Sequence, residues 1–393
     1  MVQKYIDLNA GVAVMAVGHG HPEVLQAIRE QSERLLHYSA TDFYYVPFVN
    51  LAENLTRITP GDFNKQVFLC NSGTEAIEAA FKCIRHHTRR PRMIAFVRGF
   101  HGRTLGSLSL TASKIQHRRG FFPLIPGVTH VPYPYCYRCV FKQEYPDCNF
   151  WCIDYIEEEV LNTFIPPDEV AAIVFEPIQG EGGYITPPPD YFKRLKKLAD
   201  KHGILLLADE VQSGLGKTGK WFAVEHFGIV PDVVSTAKAL ASGLPIGAMI
   251  AKSELMDWEY GSHATTFGGN PISCHVANKV IEIIEKEHLM ENATTQGDYI
   301  MKRFNELKED LEIIGDVRGR GLMIGVELVR DRETKEPATD EAERIMLESW
   351  KNGLLLITAG LSTIRIVPPL IITRELIDTA LEIIGREIKK ISK

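Results

Sequence analysis

The sequence predicts an α/β protein, in which a large domain with a mostly parallel central sheet is joined to a smaller α+β domain. Three observations carry this. Short apolar runs such as Ala171–Glu176, Leu205–Ala208 and Val233–Thr236 lack polar alternation, as strands covered on both faces do. Amphipathic helical stretches alternate with them, the pattern of a sheet wrapped by helices. After about Gly269 that alternation gives way to long helical periodicity with scattered short strands.

In chain order, Met1–Asp7 reads as a strand, and a helix opens at His21-Pro22, proline suiting a first turn. Residues 1–60 are expected to pack with the C-terminal unit. Val67–Leu69 is a strand, followed by Asn71-Ser72-Gly73-Thr74 and a helix over Glu75–Arg85. Met93–Val97 leads into the turn Arg98–Gly102. Val128–Val131 precedes a proline-marked excursion, and a helix runs on from Asp154. Ala171–Glu176 is followed by a helix over Asp190–His202. Leu205–Ala208 ends at Asp209-Glu210, Val233–Thr236 ends just before Lys238, and Ile246–Ile250 closes the series. Pro271–Glu287, with Ile272, Val276, Val280, Ile283 and Ile284 at helical spacing, connects the large domain (61–289) to the small one (290–393). The small domain holds Met323–Leu328, Thr339–Asn352, Ile364–Val367 and Thr373–Lys390.

Composition narrows the function. A formal net charge of −6 argues against a nucleic-acid partner, which usually leaves a basic imbalance. The longest apolar stretches fall far short of the ~20 residues that span a bilayer. The first residues lack an apolar signal core, so the expectation is a cytoplasmic protein with no membrane partner. Of 7 cysteines, Cys70, Cys83 and Cys274 sit among apolar neighbours as small buried thiols do. Cys136, Cys139, Cys148 and Cys152 form a C-x2-C-x8-C-x3-C cluster with three readings: a structural zinc clip, disulfides, or free thiols packed beside aromatic rings.

Open α/β sheets place ligands at the carboxyl ends of their strands. After Val67–Leu69, Ser72-Gly73-Thr74 opens a helix whose amides suit a phosphate, although taken alone an ordinary helix cap is the better explanation. Asp209 and Lys238 end two other strands, and on their own they read equally as a structural ion pair. Together with the helix start they also match the needs of pyridoxal phosphate: a lysine for its carbonyl, a carboxylate for its ring nitrogen and a phosphate site. Phe100-His101, after a further strand, offers a ring face for stacking. Rival motifs fail. Gly216-Lys217-Thr218 lacks the first glycine of a phosphate-binding loop, which would fall at Val211. His19-Gly20-His21 reads as a helix-entry turn, and His86-His87 as solvated surface at a helix end.

The whole chain from Tyr5-Ile6-Asp7 onward resembles the class III (ω-amino-acid type) aminotransferases, pyridoxal-phosphate enzymes of fold type I, the aspartate-aminotransferase-like fold. The resemblance rests on Asn71–Ala76, Phe100–Thr104, Glu176–Gly183, Asp209–Gly214, Ala237–Ala248 and Thr266–Pro271, six motifs in order. It implies that Lys238 carries the cofactor and shuttles a proton, that Asp209 holds the ring-nitrogen proton, and that Gln212 bonds the ring oxygen. It further implies that Ser72, Gly73 and Thr74 cradle the phosphate, that Phe100, His101 and Val211 enclose the ring, and that Thr266 serves the phosphate of a neighbouring subunit in a homodimer. Arg365 is implied to clamp the substrate α-carboxylate and Arg103 a distal carboxylate. Glu181 is implied to neutralise Arg365 for an ω-amine, and Val12 to line the substrate pocket.

Two departures from the family pattern stand out. The family usually carries a hairpin-containing segment ahead of the counterpart of Tyr5, which this sequence lacks, so the dimer arm and pocket rim are expected to differ. It also usually has arginine where Lys217 stands, a change expected to be mild. The implied activity is ping-pong amino transfer to 2-oxoglutarate, with 4-aminobutyrate the first-choice donor. Acetylornithine or ornithine transamination, amino-acid racemisation or epimerisation, and a non-catalytic role are the alternatives.

Overall fold

A computed structural model describes residues 4–391. Its centre is a seven-stranded sheet built from β2 (Lys65–Cys70), β3 (Arg92–Phe96), β4 (Val128–Val131), β5 (Val170–Phe175), β6 (Leu205–Asp209), β7 (Val233–Thr236) and β8 (Gly247–Lys252). Their spatial order is β2-β8-β7-β6-β5-β3-β4. Only β8 runs against the others, pairing antiparallel with both β2 and β7. All six residues of β5, Val-Ala-Ala-Ile-Val-Phe, are buried, as a strand covered on both faces requires. The helix Gly73–Thr88 covers one face with Ala76, Ile77, Ala80, Phe81 and Ile84, and the helix Tyr191–Lys201 buries Tyr191, Phe192, Leu195 and Leu198. These spacings put each set on one helical face.

From β3 the chain winds outward to β4, and from β5 inward to β6. The reversal opens a crevice at the carboxyl ends of these strands, where open α/β sheets take ligands.

The C-terminal sheet contains β9 (Ile314–Arg320), β10 (Met323–Leu328), β12 (Ile357–Ala359) and β13 (Thr363–Ile366), all antiparallel. Of the predicted N-terminal strand, only β1 (Ile6–Asp7) forms, paired in parallel with β11 (Leu354–Leu355). Met1–Gln3 lie outside the described residues. The helices Pro22–Ser32 and Val46–Ile58 pack instead against Pro271–Lys286, so the first 60 residues divide between the two units.

One expectation changes and one open reading is narrowed. His86 and His87 are half-buried and face Asp257, His87 Nδ1 at 3.0 Å, rather than being freely solvated. For the four clustered cysteines, the structure matches one of the three readings, free thiols, with no disulfide among them. Among the described residues no group of three or more histidine, cysteine or acidic side chains is placed to hold a metal ion.

The excursion carrying those cysteines finds its stabilisation elsewhere. Its thiols line a cavity of about 30 Å³ with Tyr133, Phe141, Tyr145 and Trp151. The excursion then docks on the C-terminal unit, where Arg138 pairs with Glu327 and donates to the Lys335 carbonyl (2.5 Å), while Lys335 Nζ donates to the Tyr137 carbonyl (2.9 Å). Aromatic packing and this buried polar latch hold the excursion in place.

Candidate active site

At the end of β2, Ser72 has extended backbone, and its hydroxyl accepts the Glu75 N–H at 3.4 Å, capping Gly73–Thr88. The Thr74 hydroxyl lies 2.6 Å from Ser107 Oγ and 2.9 Å from Thr104 Oγ1. A Cβ at Gly73 would stand 2.7 Å from a Val211 methyl, so only glycine lets the helix start approach this wall. Ser72, Gly73 and Thr74 share one cavity of about 430 Å³ with Phe100, His101, Arg103, Asp209, Val211, Gln212 and Lys238.

The cavity floor is charged and dry. His101 Nδ1 lies 2.7 Å from Asp209 Oδ2, with the two side chains 1% and 4% exposed. Burial alone would lower the His101 pKa, but the hydrogen bond and charge of Asp209, helped by Glu176, more than offset it and raise the value. The Val211 N–H donates to the other Asp209 oxygen at 3.0 Å. Glu176, just beyond β5, accepts the Phe100 N–H at 2.9 Å and the Gly180 N–H at 3.0 Å. Burial pushes its pKa up to about 7.

Lys238 follows β7 with φ of 35°, a left-handed conformation that a side chain adopts only under constraint, and Ser242 repeats it at 43°. Burial lowers the lysine's pKa, with Asp209 and Glu176 acting against it. A lysine less firmly protonated than in water is closer to the neutral form that attacks a carbonyl carbon.

Beyond the lining residues, but close enough for its charge to act on Lys238, Arg365 on β13 is 5% exposed and lies across from Gly325 of β10. Its Nη2 is 3.2 Å from Glu181 Oε2, and its Nε and Nη1 are buried without partners. A guanidinium with two idle donors in a dry setting is a ready carboxylate clamp. Lys114 Nζ sits 2.7 Å from the other Glu181 oxygen. Arg103 lies over the Phe100 ring, 5.6 Å from its centroid, and is exposed.

Of the expected substrate contacts, Arg365, Glu181 and Val12 are not among the residues lining this cavity, and Thr266, expected at a neighbouring subunit's phosphate, is not either. Val12, with φ of 67°, is 40% exposed, and Val14 lines the wall in its place. Thr266 is exposed, next to a second surface hollow lined by Thr265 and Gly268. Lys217 is not among the residues lining the cavity and is wholly buried, its Nζ donating to the Pro368 carbonyl at 2.9 Å. Burial pushes its pKa down to about 7. Sequence reasoning missed Glu176 and Lys114 as site members. The place of Glu176 at a strand end was a usable signal, whereas nothing in the sequence pattern marks Lys114.

The residues present fit pyridoxal phosphate. The helix start offers amides and hydroxyls to a phosphate, the buried Gln212 Oε1 and His101 Nε2 still lack partners, and Asp209 and Lys238 face the same space. The aminotransferase class-III family model matches residues 2–388. The chain is 43% identical to a leucine/methionine racemase from Thermococcus litoralis, covering 100% of this chain and 88% of the relative. It is 37% identical to a probable 4-aminobutyrate aminotransferase from Bacillus subtilis, covering 97% and 88%. Among solved structures, an aminotransferase from Bacillus anthracis superposes with a TM-score of 0.92 at 32% identity, covering 98% of this chain and 89% of that one.

Proposed function

Because the chain belongs to the class-III aminotransferase family of pyridoxal-phosphate enzymes, we propose that it transfers the amino group of an ω-amino acid, 4-aminobutyrate being the first choice, to 2-oxoglutarate by a ping-pong mechanism. The observation that carries this reading is the arrangement of Arg365, paired through one nitrogen with Glu181 and idle through two others. With Glu181 in place the guanidinium is neutralised and an ω-amine enters without an α-carboxylate. With Glu181 turned away, the same guanidinium receives the α-carboxylate of glutamate. Arg103 at the rim is suited to the distal carboxylate in either case.

The cofactor, when bound, supplies an electron sink that loosens the hydrogen on the carbon bearing the amine. Asp209, kept in place by His101 and the Val211 amide, holds the ring-nitrogen proton. Lys238 Nζ takes and returns the proton at the reacting carbon. Glu176, by fixing the Phe100 and Gly180 amides, sets the ring wall and the start of the Glu181 loop. Gln212 serves the ring oxygen, and Ser72, Gly73 and Thr74 the phosphate.

Exposed apolar side chains, Phe43, Tyr44, Val46, Tyr260 and Phe267, support a homodimer in which Thr266 serves the partner's site. Among the described residues no helix is long and apolar enough to cross a membrane.

A second reading, amino-acid racemisation, is favoured by the identity to the Thermococcus litoralis racemase. One experiment separates the two: incubation of holoenzyme with 4-aminobutyrate and 2-oxoglutarate, then with single L-amino acids in heavy water. Glutamate formation from the first supports amino transfer. Deuterated D-product from the second, without net transfer in the first, replaces that reading with racemisation.

A further inference from the structure

Glu181 divides its two oxygens between two cations. Oε2 meets Arg365 at 3.2 Å and Oε1 meets Lys114 at 2.7 Å. The carboxylate is 17% exposed and Arg365 6%, while Lys114, at 33%, reaches in from outside. Lys114 is held against the strand end that carries Phe100. The Arg98 N–H donates to the Ala112 carbonyl (3.0 Å), the Ala112 N–H to the Gly99 carbonyl (2.8 Å), and the His117 N–H to the Lys114 carbonyl (3.2 Å). Glu181 is fixed from the other side, its carbonyl accepting the Gly360 N–H at 2.9 Å. Both backbones are therefore set, and the contact between the side chains is built in.

A carboxylate this far out of water is costly to leave unpaired. If Arg365 were its sole partner, every α-carboxylate arriving at Arg365 would have to strand it. We propose that Lys114 is a specificity-determining residue that retains Glu181 whenever Arg365 is given over to a substrate α-carboxylate, so that one pocket serves two substrate classes. The proposal rests on the reading of Arg365 as the α-carboxylate clamp. Lys114 acts through Glu181 and is a positioning residue.

The test compares wild-type holoenzyme with Lys114→Met, Lys114→Arg and Glu181→Gln, and with Lys114→Met in the Glu181→Gln background. Two quantities are read: the ratio of kcat/KM for an α-amino acid to that for an ω-amino acid, and the calorimetric Kd of glutarate, an unreactive dicarboxylate. Lys114→Met is expected to lower the ratio and weaken glutarate, each by about two- to fivefold, the scale of one partly exposed ion pair. Lys114→Arg restores both, and Lys114→Met has no effect once Glu181 is Gln. An unchanged ratio and Kd, equal losses for both substrate classes, or the same loss in the Glu181→Gln background, as general loss of positive charge would give, overturns the proposal. If the wild type accepts no ω-amino donor, the proposed function fails separately, and glutarate binding with the α-amino-acid constants still decides the role of Lys114.

Discussion

His101 Nδ1 and Asp209 Oδ2 lie 2.7 Å apart on the cavity floor, neither side chain open to solvent, and together they form one buried charged unit. The pairing raises the imidazole's pKa above the ordinary histidine value. A group whose folded pKa exceeds its unfolded one contributes stability in full below the unfolded value, ~6.5, and loses it as pH rises through the folded value. His101→Gln should therefore lower Tm most near pH 6 and progressively less toward pH 9. Thermal unfolding of both proteins across that range checks it, and a pH-independent gap would show that the histidine serves packing alone.

Lys217 has the opposite sign. Its folded pKa is pushed down to about 7, below the unfolded value of ~10.4, so the cost of burying it is full at low pH and fades as pH rises through that window. Lys217→Met keeps the volume and removes the charge. It should raise stability more at pH 6 than at pH 9, by a margin of about 2 kcal/mol in denaturant titrations. A constant difference would mean that the bond to the Pro368 carbonyl dominates.

Replacing Glu181 with Gln removes the neutralising charge on Arg365. The ω-amine half-reaction should slow by about tenfold or more, and the glutamate half-reaction much less. Stopped-flow measurement of the two half-reactions reads this directly, and equal slowing would argue for a permanent structural pair.

Lys238 is predicted to be the single point of covalent cofactor attachment. Borohydride treatment of holoenzyme should fix the chromophore onto the peptide containing Lys238, and Lys238→Ala should lose activity by about three orders of magnitude or more. Label on another lysine would refute the assignment.

The cysteines should titrate in two groups. Cys136 is exposed and should react first in native protein, although burial pushes its thiol up to about 11, while Cys70, Cys83 and Cys274, closed off from solvent, should stay silent until unfolding. Seven thiols should appear in denaturant, without stoichiometric zinc by elemental analysis.

Asp209, Lys238 and Ser72–Thr74 were legible because strand ends in an α/β sheet converge, and an acid, a lysine and a small-residue helix start there have few other uses together. Glu176 was visible as a residue but not as a brace, since its partners are the backbone amides of Phe100 and Gly180, which no side-chain pattern reveals. Lys114 lies in a short irregular turn, and only the folded path brings it to Glu181. The cysteine spacing left three readings open for a related reason: the latch of Tyr137 and Arg138 onto Glu327 and Lys335 joins segments that local sequence cannot connect.

The lone reversed strand, β8, bears on biosynthesis. In the central sheet β2 emerges first from the ribosome and β8 last, yet β8 is the sole strand hydrogen-bonded to β2. At ~5–20 residues per second, β2 waits on the order of ten seconds or more with its main-chain donors and acceptors uncommitted. The helix start at Ser72–Thr74 is tethered to that waiting strand, so the phosphate cradle is completed only when the rest of the sheet has been translated. Nascent chains stalled before Gly247 should expose this edge to chaperones and self-association, and those stalled well after Lys252 should not.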